Sequence, residues 1–407
     1  MTSASLVPPL LPPLLPPGAR SRAALGLTAA AALGRFKLQV CGSCGAVQYP
    51  PREACHACLS DALRWRPQPE YGELIADTTL YHSNDPYFRE RLPWRLGLVR
   101  LDAGPSAVVH LHGGCAPAPC RVRVGARLDK SGQGVLLAFP IDEVATMADD
   151  RQLREMTCGP KGRKILVTDG TTAVGAAVVR AMVGAGAEWV WAGHAGPWKL
   201  SAEFAQLDAL PRFAPVALDL TDSRSVTKLA AEIGAEVDIL INTAEVHGVH
   251  GIDSRSGTEA ARSEMDVNYF GLLRLAQEFG PAMRSSAADG QSSAGAWINL
   301  LSVYALANFP PHGTYSASKA AALSLAQCLR AEMRPSGVRV INIFPGPLDD
   351  ESNQRLPPPK MTPATLASAM VDALEDGVED IYPGEVAQEW LARWEENPKI
   401  LEKEIGA

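Results

Sequence analysis

Tyr315 and Lys319 stand four residues apart in Tyr315-Ser316-Ala317-Ser318-Lys319, and residues at that spacing share one face of a helix. An ammonium beside a phenol favours the phenolate, so a hydroxyl with an ordinary pKa near ~10 can trade a proton near neutrality. Ser302 lies thirteen residues before Tyr315 and closes the apolar run Ile298-Asn299-Leu300-Leu301, which reads as a buried strand. A serine hydroxyl placed there can hold a carbonyl oxygen against the phenol. Together the three groups move a proton on or off an oxygen while another group moves a hydride. The Tyr/Lys spacing alone also suits an ordinary solvated helix face; the serine narrows the reading.

A second set of residues suits a metal. Cys41-Gly42-Ser43-Cys44 and Cys55-His56-Ala57-Cys58 are two C-x-x-C knuckles with ten residues between them. Four thiolates at this spacing close a tetrahedral zinc site with no open position, so the zinc is expected to be structural. His56 is read as a bystander. The chain has eight cysteines, and their pairing is a metal pattern rather than a disulfide framework.

The elements that must carry these residues fall into two kinds. Residues 19–66 read as an alanine-rich helix followed by the ribbon. Residues 67–140 hold short alternating strands at Glu73–Asp77, Leu96–Leu101, Ala107–Leu111, Arg121–Val124 and Val135–Phe139. With Gly and Asp turns between them, these suggest a small β-barrel. Residues 141–162 read as a linker. From Arg163 onward strands alternate with helices, at Lys164–Thr168, Trp189–Ala192, Val216–Leu218, Val237–Ile241, Trp297–Leu301 and Val338–Ile343. That alternation predicts α/β architecture, a Rossmann-like doubly wound parallel sheet over residues 163–407.

Composition bounds the partners. A net charge of −7 without a basic stripe disfavours nucleic acid and anionic membrane surfaces. Residues 1–18 are rich in proline pairs, which interrupt every apolar run; an extended, poorly ordered tail is expected rather than a signal peptide. No other stretch is apolar for long enough to span a bilayer, so a cytoplasmic location is expected.

Lys164-Ile165-Leu166-Val167-Thr168-Asp169-Gly170-Thr171-Thr172-Ala173-Val174-Gly175 is a strand, a tight loop and a helix start, which aims backbone N–H groups at a diphosphate. With Ser302, Tyr315 and Lys319 it resembles the short-chain dehydrogenase/reductase family, whose loop reads T-G-x-x-x-G-x-G. Asp219-Leu220, Asn242-Thr243-Ala244-Glu245, Asn268 and Pro345-Gly346-Pro347 extend the likeness across about residues 163–384. The resemblance implies an NAD(P)-dependent oxidoreductase and assigns roles. Tyr315 is the acid/base, Lys319 lowers its pKa and contacts the nicotinamide ribose, Ser302 positions the substrate oxygen, and Asn268 supports a proton relay. Thr168, Gly170, Thr172, Val174, Gly175, Asp219, Leu220, Asn242, Ala244, Pro345, Gly346 and Leu348 would line the cofactor. His194, after Gly193 at the end of the second strand, stands where an acidic residue would select NAD, so NADP is favoured over NAD.

The cysteine ribbon, Trp65, Tyr71-Gly72-Glu73-Leu74, Leu92–Gly104 and Leu137-Ala138-Phe139-Pro140 resemble the acyl-CoA-associated zinc-ribbon/OB-fold family over about residues 19–140. That likeness implies binding of an acyl-CoA or docking to a thiolase-like partner. A hydroxyacyl or ketoacyl thioester becomes the expected substrate, and the dehydrogenase likeness implies a homo-oligomer. The loop departs from its family: Asp169 and Ala173 replace two glycines, Glu245 replaces a glycine near the nicotinamide end, and Asp350 stands where a threonine is common. These departures keep open an alternative in which the fold is a non-catalytic acyl-CoA-binding or scaffold protein.

Overall fold

In this computed structural model, residues 14–18, 20–142, 147–196, 202–253, 256–288 and 295–405 are described. Most of the expected extended tail lies outside them; residues 14–18 form neither helix nor strand, and Pro16 is buried. The alanine-rich stretch forms a 3-10 turn at Arg22–Ala24 and an α-helix over Leu25–Ala32, and Gly34, with a left-handed φ of 65°, follows its C-terminal end. Its Leu27 and Ala31 pack into the barrel core. Gly134 permits that approach: a Cβ there would sit 2.8 Å from the Thr28 nitrogen.

Strand β1 (Lys37–Cys41) pairs antiparallel with β2 (Val47–Gln48) and β3 (Leu63–Pro67) to make the ribbon. Strands β4 (Tyr71–Leu80), β5 (Trp94–Leu101), β6 (Ser106–Leu111), β7 (Cys120–Leu128) and β8 (Gly134–Pro140) close a barrel in the order β4-β5-β6-β8-β7. Alternate residues such as Leu74, Val99, Val109, Leu111, Val122 and Val124 fill it, the period-two pattern of strands with one buried face.

The remaining strands form one parallel sheet: β9 (Lys164–Val167), β10 (Trp189–His194), β11 (Phe213–Ala217), β12 (Ile239–Asn242), β13 (Ala296–Leu300), β14 (Arg339–Ile343) and β15 (Asp380–Ile381). Their order is β11-β10-β9-β12-β13-β14-β15, with apolar cores on both faces. The order reverses between β9 and β12, and in such sheets ligands bind at the carboxyl ends of the strands beside that switch. Two details differ from expectation. Strand β11 starts at Phe213 rather than Val216, on the sheet edge where Pro215 is tolerated. Strand β15, only two residues long, had no sequence signal of its own.

From residue 147 onward the expected linker is a packed joint. Leu153 and Met156 are buried with Trp94, Leu137 and Phe139 of the barrel, while Cys158 enters the core of the parallel sheet. Buried Arg339 closes the joint. Its guanidinium donates to the carbonyls of Leu128 and Asp129 at 3.1 Å each, of Met156 at 2.7 Å and of Gly377 at 2.5 Å. Two helices, Glu385–Glu396 and Pro398–Ile405, follow β15, with Pro398 opening the second. Leu391 and Leu401 turn inward and Ile400 outward.

Candidate active site and metal centre

The four ribbon cysteines converge: every sulfur lies within 4.8 Å of the others. Cys41 Sγ and Cys58 Sγ are 3.6 Å apart, as are those of Cys44 and Cys55. A zinc ion with Zn–S bonds of ~2.3 Å sets tetrahedral sulfurs ~3.8 Å apart, so the donor set fits that ion. His56 is not part of the cluster; its ring Nδ1 lies 3.3 Å from the Gln48 side-chain oxygen.

Beside the switch point, the β9 turn is tied to the β12 loop. Thr168 Oγ1 donates to Asn242 Oδ1 at 3.0 Å and accepts from the N–H groups of Thr243 and Ala244 at 3.1 Å. Thr172 caps the helix Ala173–Gly184, accepting from the Gly175 N–H, so the helix start faces the end of the strand. A Cβ on Gly175 would lie 1.9 Å from the Asp169 carbonyl oxygen, and one on Gly193 would lie 2.2 Å from that of Thr168; only glycine fits either place. Asp169 does not extend its carboxylate outward. Its Oδ1 accepts from the Thr171 N–H at 2.9 Å and hydroxyl at 2.6 Å, folding the charge into its own turn. Buried His194 Nδ1 has no hydrogen-bond partner among the described residues. The close-packed glycines, the helix start and this free ring nitrogen fit the adenosine and diphosphate portion of a dinucleotide. Asp219 is engaged locally, its Oδ1 accepting from Thr221 at 2.9 and 2.7 Å, and Leu220 is buried.

At the other end, Ser302, Tyr315, Pro345, Gly346 and Leu348 line one cleft. Ser302 lies two residues past the end of β13 and caps the short turn Val303–Ala305. Tyr315 and Lys319 lie on the helix Gly313–Met333, both buried. Asn268 sits on a π-helical turn, Asp266–Gly271, a distortion frequent at functional sites. Its amide is fully engaged with protein groups: it accepts from the Val246 N–H and donates to the Val246 carbonyl, both at 2.9 Å, and donates to Ser318 Oγ at 2.8 Å.

One group overturns the electrostatics expected from the Tyr/Lys pair. Glu245 Oε2 accepts from the Tyr315 hydroxyl at 3.0 Å and faces Lys319 Nζ at 2.8 Å. Lys319 also donates to the Leu300 carbonyl at 2.8 Å. Burial is the largest influence on the Glu245 carboxyl and would raise it, but the Lys319 charge, the neighbouring His247 ring and the hydrogen bonds from Lys319 and Tyr315 together outweigh it and hold the group below its usual range. Tyr315 moves the other way: burial, then the Glu245 charge and its hydrogen bond, hold the phenol well above its ordinary value. Lys319 therefore neutralises Glu245 here instead of acidifying Tyr315.

His247 covers the tyrosine ring, with centroids 3.7 Å apart and planes 13° from parallel. Its Nε2 meets His312 Nδ1 at 2.6 Å, and burial pushes its pKa down to about 4, which keeps the ring neutral. The cleft retains a cavity of about 10 Å³, room for a single water. Glu245 was visible in the sequence as a departure but not as a partner of Tyr315. His247 and His312 were missed; their one signal was a position two residues past Glu245 and three before Tyr315.

A family model described as short chain dehydrogenase matches residues 163–360. Models described as the ChsH2 rubredoxin-like zinc ribbon domain and the ChsH2 C-terminal OB-fold domain match residues 28–64 and 65–139. A solved short chain dehydrogenase from Burkholderia cenocepacia, crystallised with NADP, is 35% identical with a TM-score of 0.55; the match covers 61% of this chain and 98% of that one. Mouse dehydrogenase/reductase SDR family member 7B is 31% identical over 189 residues, 45% of this chain and 56% of the relative. The short chain dehydrogenase tazN of Aspergillus terreus is 29% identical over 191 residues, 46% of this chain and 41% of the relative. The chain thus spans about half the length of these two curated relatives. No helix among the described residues is long and apolar enough to cross a membrane. With the order ribbon, barrel, parallel sheet shared by the matched models and the fold, the chain belongs to the short chain dehydrogenase family and carries ChsH2-type zinc-ribbon and OB-fold domains ahead of it.

Proposed function

We propose that the protein is an NADP(H)-preferring oxidoreductase that interconverts a secondary alcohol and a ketone on an acyl-CoA thioester. The observation that carries this reading is the convergence of Ser302 and Tyr315 on one cleft beside the switch point, with Lys319 one turn along the same helix. When bound, the nicotinamide supplies or takes the hydride. Ser302 Oγ orients the substrate oxygen, and Tyr315 donates or accepts the proton at its phenolic oxygen. Positioned acid/base catalysis of this kind contributes about two to four orders of magnitude in rate. Cofactor preference follows from His194 at the end of β10, where no carboxylate competes with a ribose phosphate, and a relative 35% identical binds NADP.

Two features of the barrel support the thioester. A cavity of about 340 Å³ is lined by Tyr87, Phe88, Trp94, Val135 and Met156, with Arg20 and Asp129 at its polar side; it suits an apolar acyl portion. On the outer wall Leu98 and Val108 lie opposite each other and are 38% and 62% exposed, a small apolar face on which a thiolase-like partner could dock. Assembly into a homo-oligomer and a cytoplasmic location complete the proposal.

A second reading, a scaffold that binds acyl-CoA without turning it over, is favoured by the Glu245 carboxylate already held by Tyr315 and Lys319. Fluorescence titration with NADPH and NADH decides between them, followed by turnover of a panel of hydroxyacyl- and ketoacyl-CoA esters. Saturable NADPH binding with turnover of one ester supports the enzyme. No binding of either nucleotide at millimolar concentration leaves the scaffold.

A further inference from the structure

We propose that Glu245 is a built-in competitor for the nicotinamide end of the cofactor: its carboxylate stands where the ribose hydroxyls would meet Tyr315 and Lys319, and the dinucleotide binds by displacing it. The inference rests on the dinucleotide reading above and goes beyond it.

A ribose diol and a carboxylate both offer oxygen acceptors to a donor pair. Tyr315 O–H and Lys319 Nζ are both within 3.0 Å of one such oxygen, Glu245 Oε2. The third participant, the Leu300 carbonyl, holds Lys319 from behind at 2.8 Å, so the ammonium stays in place whichever partner it meets. The remaining cavity of about 10 Å³ is far too small for a sugar and a nicotinamide ring. Entry of that end therefore requires something to leave.

The geometry also says which part leaves. The backbone next to Glu245 is pinned, because Asn268 bonds both the N–H and the carbonyl of Val246. Beyond it, the Gly248 N–H donates to buried Glu264 Oε1 at 2.9 Å, and the Gly313 N–H donates to the His250 carbonyl at 3.1 Å. A loop fastened at three points does not swing as a unit, so the Glu245 side chain rotates while the chain stays. Asn268 is then a positioning residue that holds the competitor at the mouth of the site. The His247 ring, stacked on Tyr315, fills the other side of the same space. Since the apparent affinity for a ligand is divided by the fraction of protein competent to bind it, a latch closed for 90–99% of the time would weaken cofactor binding about 10- to 100-fold.

The test is direct titration of NADPH by fluorescence into the wild-type protein, Glu245→Gly and Glu245→Gln. The expected result is tighter binding in Glu245→Gly by about tenfold or more, with Glu245→Gln, which keeps the volume but not the charge, between the two. The glutamine variant also guards against a fold weakened by unpartnered Lys319. Thermal melts supply a readout independent of optical binding: NADPH should raise the midpoint of either variant more than that of the wild type. Equal affinity in all three proteins overturns the competitor while leaving the dinucleotide reading intact. Absence of binding in all three overturns both.

Discussion

Replacing Arg339 by alanine should loosen the barrel from the parallel sheet as well as lower stability. The side chain is 7% exposed and donates to four carbonyls, two at the end of the barrel, one in the joint and one after the helix Pro363–Asp376. Hydrogen bonds to a charged group contribute about 1.5–3 kcal/mol each, a gross figure of about 6–12 kcal/mol. Desolvation of the guanidinium, and water entering the space it vacates, offset much of that. Truncation leaves buried carbonyls without a donor at a cost of about 1–3 kcal/mol for each one that water does not reach, so a net loss of about 4 kcal/mol is expected. Against a typical total of about 5–15 kcal/mol, such a loss is large. Urea unfolding followed by far-UV circular dichroism, together with zinc release into a chromogenic chelator, reports the two parts separately. Wild type should unfold with the probes coincident. Arg339→Ala should lose about 4 kcal/mol and separate them, since domains joined by a weakened interface melt independently. Arg339→Lys should recover less than half, because a compact ammonium cannot span four carbonyls as a planar fork does. A loss below about 1 kcal/mol with coincident transitions would refute the assignment of Arg339 as the clamp.

Tyr315→Phe should lower turnover at least about a hundredfold, the scale of positioned acid/base catalysis, with NADPH affinity within a few-fold of wild type; an unchanged rate removes Tyr315 from the proton step. Chelation, or Cys44→Ser, should release one zinc per chain and unfold the ribbon while the parallel sheet keeps its circular dichroism, checked by metal analysis beside the spectrum. Burial pushes His110 and His247 down to about 4, from 6.5. Between those values the unfolded chain binds more protons, so stability is full above pH 6.5 and falls as pH drops toward 4, by at most about 3 kcal/mol per histidine. Urea midpoints at pH 7 and pH 5 measure this, and a midpoint that rises on acidification contradicts it.

The parallel sheet was legible because its strands are buried on both faces and read as apolar runs, as in Ile298-Asn299-Leu300. The ribbon was legible from spacing alone. Strand β15 escaped because two residues cannot carry a period, and Asp380 and Ile381 pair only with a strand already placed beside them. The joint over residues 147–158 escaped because its charged residues masked the few apolar ones that pack, Leu153 and Met156. In the site, Ser302, Tyr315 and Lys319 announced themselves through local spacing. The Glu245–Lys319 pair did not, since no periodicity links a loop after β12 to the middle of a helix on the far side of β13. The sign of the Tyr315 shift depended on that one long-range contact, so a local reading of the Tyr/Lys pair gave the wrong direction.

The Arg339 clamp also has a consequence for synthesis on the ribosome. The Leu128 carbonyl it grips precedes it by 211 residues, and at ~5–20 residues per second that interval lasts about 10–40 s. For most of it the ribbon and barrel are outside the ribosome with their joint face open and no sheet to cover it. They have to hold their shape unaided in that time. A closed barrel, which leaves no free strand edge, and a cross-linking metal, which needs only residues 41–58 to assemble, are what a nascent N-terminal domain needs while it waits for the second half of its chain.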